Sequence, residues 1–158
     1  MNKKSKNVFI RHRGKDDEHI GKLKELLNKK GYQLKNSSID SSKPNNANNE
    51  EYIKTILRPR IEWAGTFICL IGKDTANSNW VKWEIEHAAK EGKNIVGVYL
   101  HGEKGEETKL PEALETHADS IVGWNTDKII EAVGGKNIME SPNGTPRTGG
   151  APIGRETC

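Results

Sequence analysis

Two six-residue runs, Thr66-Phe67-Ile68-Cys69-Leu70-Ile71 and Ile95-Val96-Gly97-Val98-Tyr99-Leu100, are apolar without alternating with polar residues. A strand with one face in water alternates; strands like these are covered on both faces. Each is followed by a segment with helical spacing, Val81, Ile85, Ala88 and Ala89 after the first and Ala113, Leu114 and Ala118 after the second. The same pairing recurs elsewhere. Val8-Phe9-Ile10 precedes Ile20, Leu23, Leu26 and Leu27; an edge or short strand starting at Tyr32 to Leu34 precedes Ile53, Ile56 and Leu57; and Ser120 to Trp124 precedes Ile129, Ile130 and Val133. Buried strands alternating with helices predict a single three-layer, flavodoxin-like α/β domain whose mostly parallel sheet is covered by helices on both faces.

Local punctuation sets the expected boundaries. Residues 1–7 form a basic, flexible N-terminus, 8–135 the domain, and 136–158 a flexible Gly/Pro-rich tail without periodicity. The first helix spans about Asp17 to Lys30, stopped by Gly31. Pro59 ends or kinks the second helix, and Asn79 or Ser78 caps the third. Asn36 to Asn49 is a long polar loop, which in so small a domain points to function more than to a boundary. Ligands of such folds gather outside the carboxyl ends of the strands, so the loops after Ile10, Leu34, Ile71 and Leu100 are the expected site walls.

A chain of 158 residues fits one domain. Its 25 basic and 22 acidic side chains leave a net charge of +3, too little to draw nucleic acid over the whole surface. No apolar stretch approaches the roughly 20 residues of a membrane helix, and Val8-Phe9-Ile10 is too short for a signal-peptide core. Cys69 and Cys158 belong to no metal-spacing motif, so no metal is expected. Both are expected as free thiols in a reducing cytoplasm.

The helix beginning Asn79-Trp80-Val81-Lys82-Trp83-Glu84 carries the candidate chemistry. Trp80 and Glu84 are four apart and share one side, with His87 three beyond. Adjacency to Ile85 places Glu84 on the flank of the apolar stripe, where a carboxylate can face a crevice beside an indole. From periodicity alone, the competing reading is a solvated carboxylate paired with a basic residue of another segment.

Four segments, taken in order, resemble the TIR domain superfamily, and more specifically the short TIR-like (ThsB-like) proteins of the Thoeris antiphage defence system. They are Val8-Phe9-Ile10-Arg11-His12 with Lys15-Asp16-Asp17; Ser37 to Pro44; Ile56 to Thr66; and Trp80 to Glu86. Together they cover about residues 7 to 135. The resemblance implies that Glu84 is catalytic and that the substrate is NAD, cleaved between nicotinamide and ribose with no further cofactor. Arg11 stands where the family pattern has a small residue, typically Ser; a guanidinium there either holds pyrophosphate or obstructs the pocket. His12 is a candidate for orienting substrate, Trp80 or Trp83 for holding the base, and Asp40 and Asn45 for hydroxyl or phosphate contacts. The resemblance also implies a cyclic or conjugated nucleotide signal read by a separate effector, and a homo-oligomer that completes the site. The alternative function is a catalytically weak adaptor acting by homotypic assembly.

Overall fold

The computed structural model describes residues 6–12, 18–36, 50–72, 75–100 and 108–140. Its elements are β1 (Asn7–Arg11), α1 (Glu18–Lys29), β2 (Gln33–Asn36), α2 (Glu50–Trp63), β3 (Thr66–Ile71), a 3-10 turn (Thr75–Asn77), α3 (Asn79–Lys90), β4 (Asn94–Tyr99), α4 (Glu112–His117), β5 (Ser120–Val122) and α5 (Thr126–Val133). The five strands form one sheet in the order β2-β1-β3-β4-β5, every pair parallel. This is the three-layer α/β architecture expected from the sequence. From β1 the chain moves outward to β2 and then returns to the other side of β1, so the switch in direction lies between β1 and β3. Ligands of parallel sheets bind at that crevice.

Strand alternation divides the core in two. Phe9, Phe67, Cys69, Ile71, Ile95, Tyr99 and Ile121 pack with Leu57 and Ile61 of α2 and with Val81, Ile85 and Ala88 of α3. On the other face, Val8, Ile10, Ile68, Leu70, Val96 and Val98 pack with Ile20, Leu23 and Leu27 of α1 and with Ile129 and Val133 of α5. Gly97 faces the first layer, where a Cβ would come within 3.1 Å of Leu114 Cδ1 and 3.2 Å of Ile71 Cδ1. Its bare backbone lets α4 approach the sheet.

Local signals explain several helix ends. Ser78 caps α3, its hydroxyl accepting from the Val81 N–H at 3.2 Å. Beyond that helix Gly92 takes φ +73°, a conformation glycine adopts without strain. Asn125 caps α5 by accepting from the Lys128 N–H.

Two expectations need correction. Pro59 does not end α2, which runs four residues further to Trp63. Losing one helical hydrogen bond at a proline costs about 3 kcal/mol. Leu57 and Ile61, one turn apart across it, are both buried, and each contributes about 1.5–3 kcal/mol. The fold also continues past Gly135. Residues 136–140 run beside β5: Ile121 N–H donates to Ile138 O, Glu140 N–H donates to Ile121 O, and the buried Glu140 carboxylate accepts from Gly123 N–H at 3.0 Å. No periodicity marks this segment because it is short: besides backbone pairing and the Glu140 carboxylate, only Ile138 and Met139 pack on the core, one against each layer. No helix of the described residues is long and apolar enough to cross a membrane.

Candidate active site

Helix α3 buries Val81, Glu84, Ile85 and Ala88. Those spacings of three, one and three are the contact stripe of a helix against a sheet, and a carboxylate occupies one of its four positions. Glu84 therefore lies in the stripe, not on its flank as its adjacency to Ile85 suggested. Its side chain has no solvent exposure.

Arg11 reaches it from the sheet. Residues Arg11 and Cys69 are partners in the β1–β3 register, which places Arg11 at the carboxyl end of β1 beside the switch point. Strand alternation from Phe9 turns its side chain toward the layer containing α3. The Arg11 Nε lies 3.2 Å from Glu84 Oε1, and the arginine side chain is 16% exposed. Despite this closeness, neither carboxylate oxygen accepts a well-formed hydrogen bond among the described residues. An ionised carboxylate in that condition is costly, and such groups concentrate at functional sites.

Burial pushes the Glu84 carboxyl up to about 7, against the opposing pull of the Arg11 guanidinium. Cys69 is held as a neutral thiol by the same environment. Burial raises it to about 12, with Arg11 lowering and Glu84 raising it. Near neutral pH the site thus holds a permanent cation, a carboxyl that exchanges its proton, and an inert thiol.

The other residues expected at the site are placed as follows. His12, expected in a polar loop, is buried at 7% exposure immediately after β1. Trp80 is half-buried against the core and meets Trp83 edge-on at 5.9 Å. Trp83 stacks on His87 at 5.5 Å with the planes 8° apart, and Lys54 Nζ and Arg58 Cζ lie 5.5 and 5.8 Å from its centroid. These partners place Trp83 in the seam between α2 and α3. Asp40 and Asn45 lie outside the described residues, as do Lys15 to Asp17.

Two other features lie apart from Glu84. A cleft of about 200 Å³ is lined by Ile10, Lys24, Asn28, Leu34 and Lys35. It is smaller than the roughly 300 Å³ at which small-molecule sites begin, and Ile10 faces the opposite layer from Glu84. Near the C-terminal ends of α2 and α3, ligand-type atoms of Glu62, His87 and Glu91 lie within 4.8 Å of one another. There His87 Nε2 already pairs with Glu62 Oε2 at 3.1 Å.

Sequence reasoning reached Glu84 and Arg11 separately but missed their contact. The spacing Val81, Glu84, Ala88 was the available sign that the carboxylate is buried, and a buried carboxylate calls for a cation from elsewhere.

A protein of Cytobacillus dafuensis bearing the name "Putative cyclic ADP-D-ribose synthase TIR2" is 29% identical over 131 residues, which are 82% of this chain and 34% of that protein. The chain thus spans about a third of that relative's length. A family model described as "Thoeris protein ThsB, TIR-like domain" matches residues 9–105, a span that includes the carboxyl-terminal end of β1, the switch point and all of α3. On that match, the chain belongs to the TIR-like domain family of the Thoeris protein ThsB.

Proposed function

We propose that this protein is an NAD-cleaving TIR enzyme that releases nicotinamide and turns the ADP-ribosyl group into a cyclic or conjugated nucleotide signal in antiphage defence. The observation that carries this reading is Glu84: a buried carboxylate at the sheet's switch point, near a cation, with neither oxygen hydrogen-bonded among the described residues. A ribose presents vicinal hydroxyls, the two donors such a carboxylate lacks. The naming of the Cytobacillus dafuensis relative as a cyclic ADP-ribose synthase supports the same chemistry.

Nicotinamide leaves its glycosidic bond as a neutral molecule, so protonation of the leaving group is unnecessary. The demand falls on the sugar, which becomes oxocarbenium-like. Ionised Glu84 accepts from the ribose hydroxyls and opposes the growing positive charge, an interaction stronger in the transition state than in the ground state. A single carboxylate suffices, unlike the pair used in most O-glycoside hydrolysis. Trp80 offers an apolar wall for a base, and His12 orients the substrate beside β1. Asp40 and Asn45 supply hydroxyl or phosphate contacts. The fate of the ADP-ribosyl group depends on the acceptor: water gives ADP-ribose, an internal group gives a cycle, and another molecule gives a conjugate. A separate effector reads the product.

The full exclusion of Glu84 from solvent favours a second reading, a catalytically weak adaptor that acts by homotypic assembly. Incubation with NAD and chromatography of the products separates the two. Nicotinamide release by wild type that is lost in Glu84→Gln supports the enzyme; equal release by both overturns the role of Glu84. Silence of the wild type, even when oligomerised and supplied with extract of phage-infected cells, supports the adaptor.

A further inference from the structure

We propose that Arg11 exchanges partners, leaving Glu84 to bind the pyrophosphate of the arriving dinucleotide, so that substrate itself uncovers the carboxylate. The inference rests on the reading of Glu84 as the ribose-facing group and adds how that group becomes available.

Accessibility gives the order of events. Glu84 has no exposed side-chain surface whereas Arg11 has 16%, so an anion entering from solvent meets the guanidinium first. Position gives the ligand. Arg11 ends β1 at the switch point, where the carboxyl ends of parallel strands receive phosphates, and it stands opposite Cys69, a neutral residue that offers the guanidinium no charge.

Geometry makes the exchange feasible. The contact with Glu84 is made through Nε at 3.2 Å, and among the described residues no well-formed hydrogen bond reaches either oxygen of Glu84. A guanidinium carries five N–H donors in a planar fork suited to two oxygens of a phosphate. Arg11 thus trades a poorly aligned ion pair for charge-assisted hydrogen bonds. Glu84 gives up a cation but no aligned donor, and the ribose hydroxyls arrive with the same ligand to supply donors. No covalent step is involved.

Competition for one cation has a signature that a merely structural ion pair lacks. Binding of inorganic pyrophosphate is measured by calorimetry at constant ionic strength and pH 8, where Glu84 is largely ionised. Glu84→Gln, which removes the competitor, is expected to bind on the order of tenfold tighter than wild type. Arg11→Gln is expected to bind on the order of tenfold weaker, and the double variant to match Arg11→Gln because nothing remains to compete for. Arg11→Lys keeps the charge without the fork and serves if Arg11→Gln does not fold; in that background the gain from Glu84→Gln should shrink. A Glu84→Gln protein that binds pyrophosphate no more tightly than wild type overturns the exchange, as do single effects that simply add in the double variant. Nicotinamide release is scored separately. Release that depends on Glu84 while the binding cycle is additive sinks the exchange and leaves the proposed function standing; an intact cycle without release does the reverse.

Discussion

Glu84 and His87 sit three residues apart on α3, and each pairs with a group from another element at nearly the same distance, 3.2 Å to Arg11 and 3.1 Å to Glu62. Their surroundings differ. The Glu62 side chain is 47% exposed, its contact with His87 is a hydrogen bond, and Lys93 Nζ donates to its backbone oxygen at 2.9 Å. Glu84 is fully enclosed and its oxygens lack aligned donors among the described residues. Distance alone would rank the pairs as equals. Desolvation separates them, because solvent screens an exposed pair to little net value while a buried pair is expensive to form and more expensive to break.

The comparison breaks most readily at catalysis. Replacing Glu84 by Gln should reduce nicotinamide release on the order of 1000-fold, as removal of a preorganised transition-state partner does. Replacing His87 by Gln should change it less than about threefold, since His87 serves the α2–α3 seam. Product chromatography for both variants checks the contrast.

The next effect is on stability. Arg11→Ala leaves Glu84 buried without its cation and should cost about 3 kcal/mol at pH 8. The loss should shrink near pH 5.5, where the carboxyl takes up a proton. Denaturant unfolding at the two pH values measures it.

A third prediction concerns pH itself. The folded-state value of Glu84, about 7, lies above the ordinary carboxyl value of 4.5, so the native protein keeps this proton where the unfolded chain releases it. Stability from this group is therefore greatest at acid pH and falls as pH rises from about 4.5 through 7, by roughly 3 kcal/mol in total. Glu84→Gln should remove that slope; an unchanged slope would mean that Glu84 ionises freely. Activity should run the other way, with cleavage rising through about pH 7 as the carboxylate forms. The smallest effect is at the surface. Glu62→Gln should cost less than about 1 kcal/mol, and added salt should reduce it further.

How much of this was legible in the sequence follows from the range of each interaction. Thr66 to Ile71 read as a doubly covered strand because its six side chains meet two helical layers, and all six are buried. Ser78 and Gly92 read as helix ends because capping is local. At Pro59 the sequence left an end or a kink open, and the ending was overruled by the packing of Leu57 and Ile61 on either side. The Arg11–Glu84 pair joins β1 to a helix 73 positions away, which no helical spacing could reveal. The family resemblance directed attention to Glu84, but its burial and counter-charge depend on how the sheet orders its strands.

The segment after α5 also bears on how copies could meet. With Ile121 bonded on its outer side to Ile138 and Glu140, the β5 margin presents fewer open amides, and among the described residues β2 is the strand at the other margin. A sheet open at both ends can extend indefinitely from copy to copy. One open at a single end closes at two if that edge pairs with itself about a twofold axis. Five residues that look like a tail thereby favour a finite assembly over a fibre wherever association runs through strand edges.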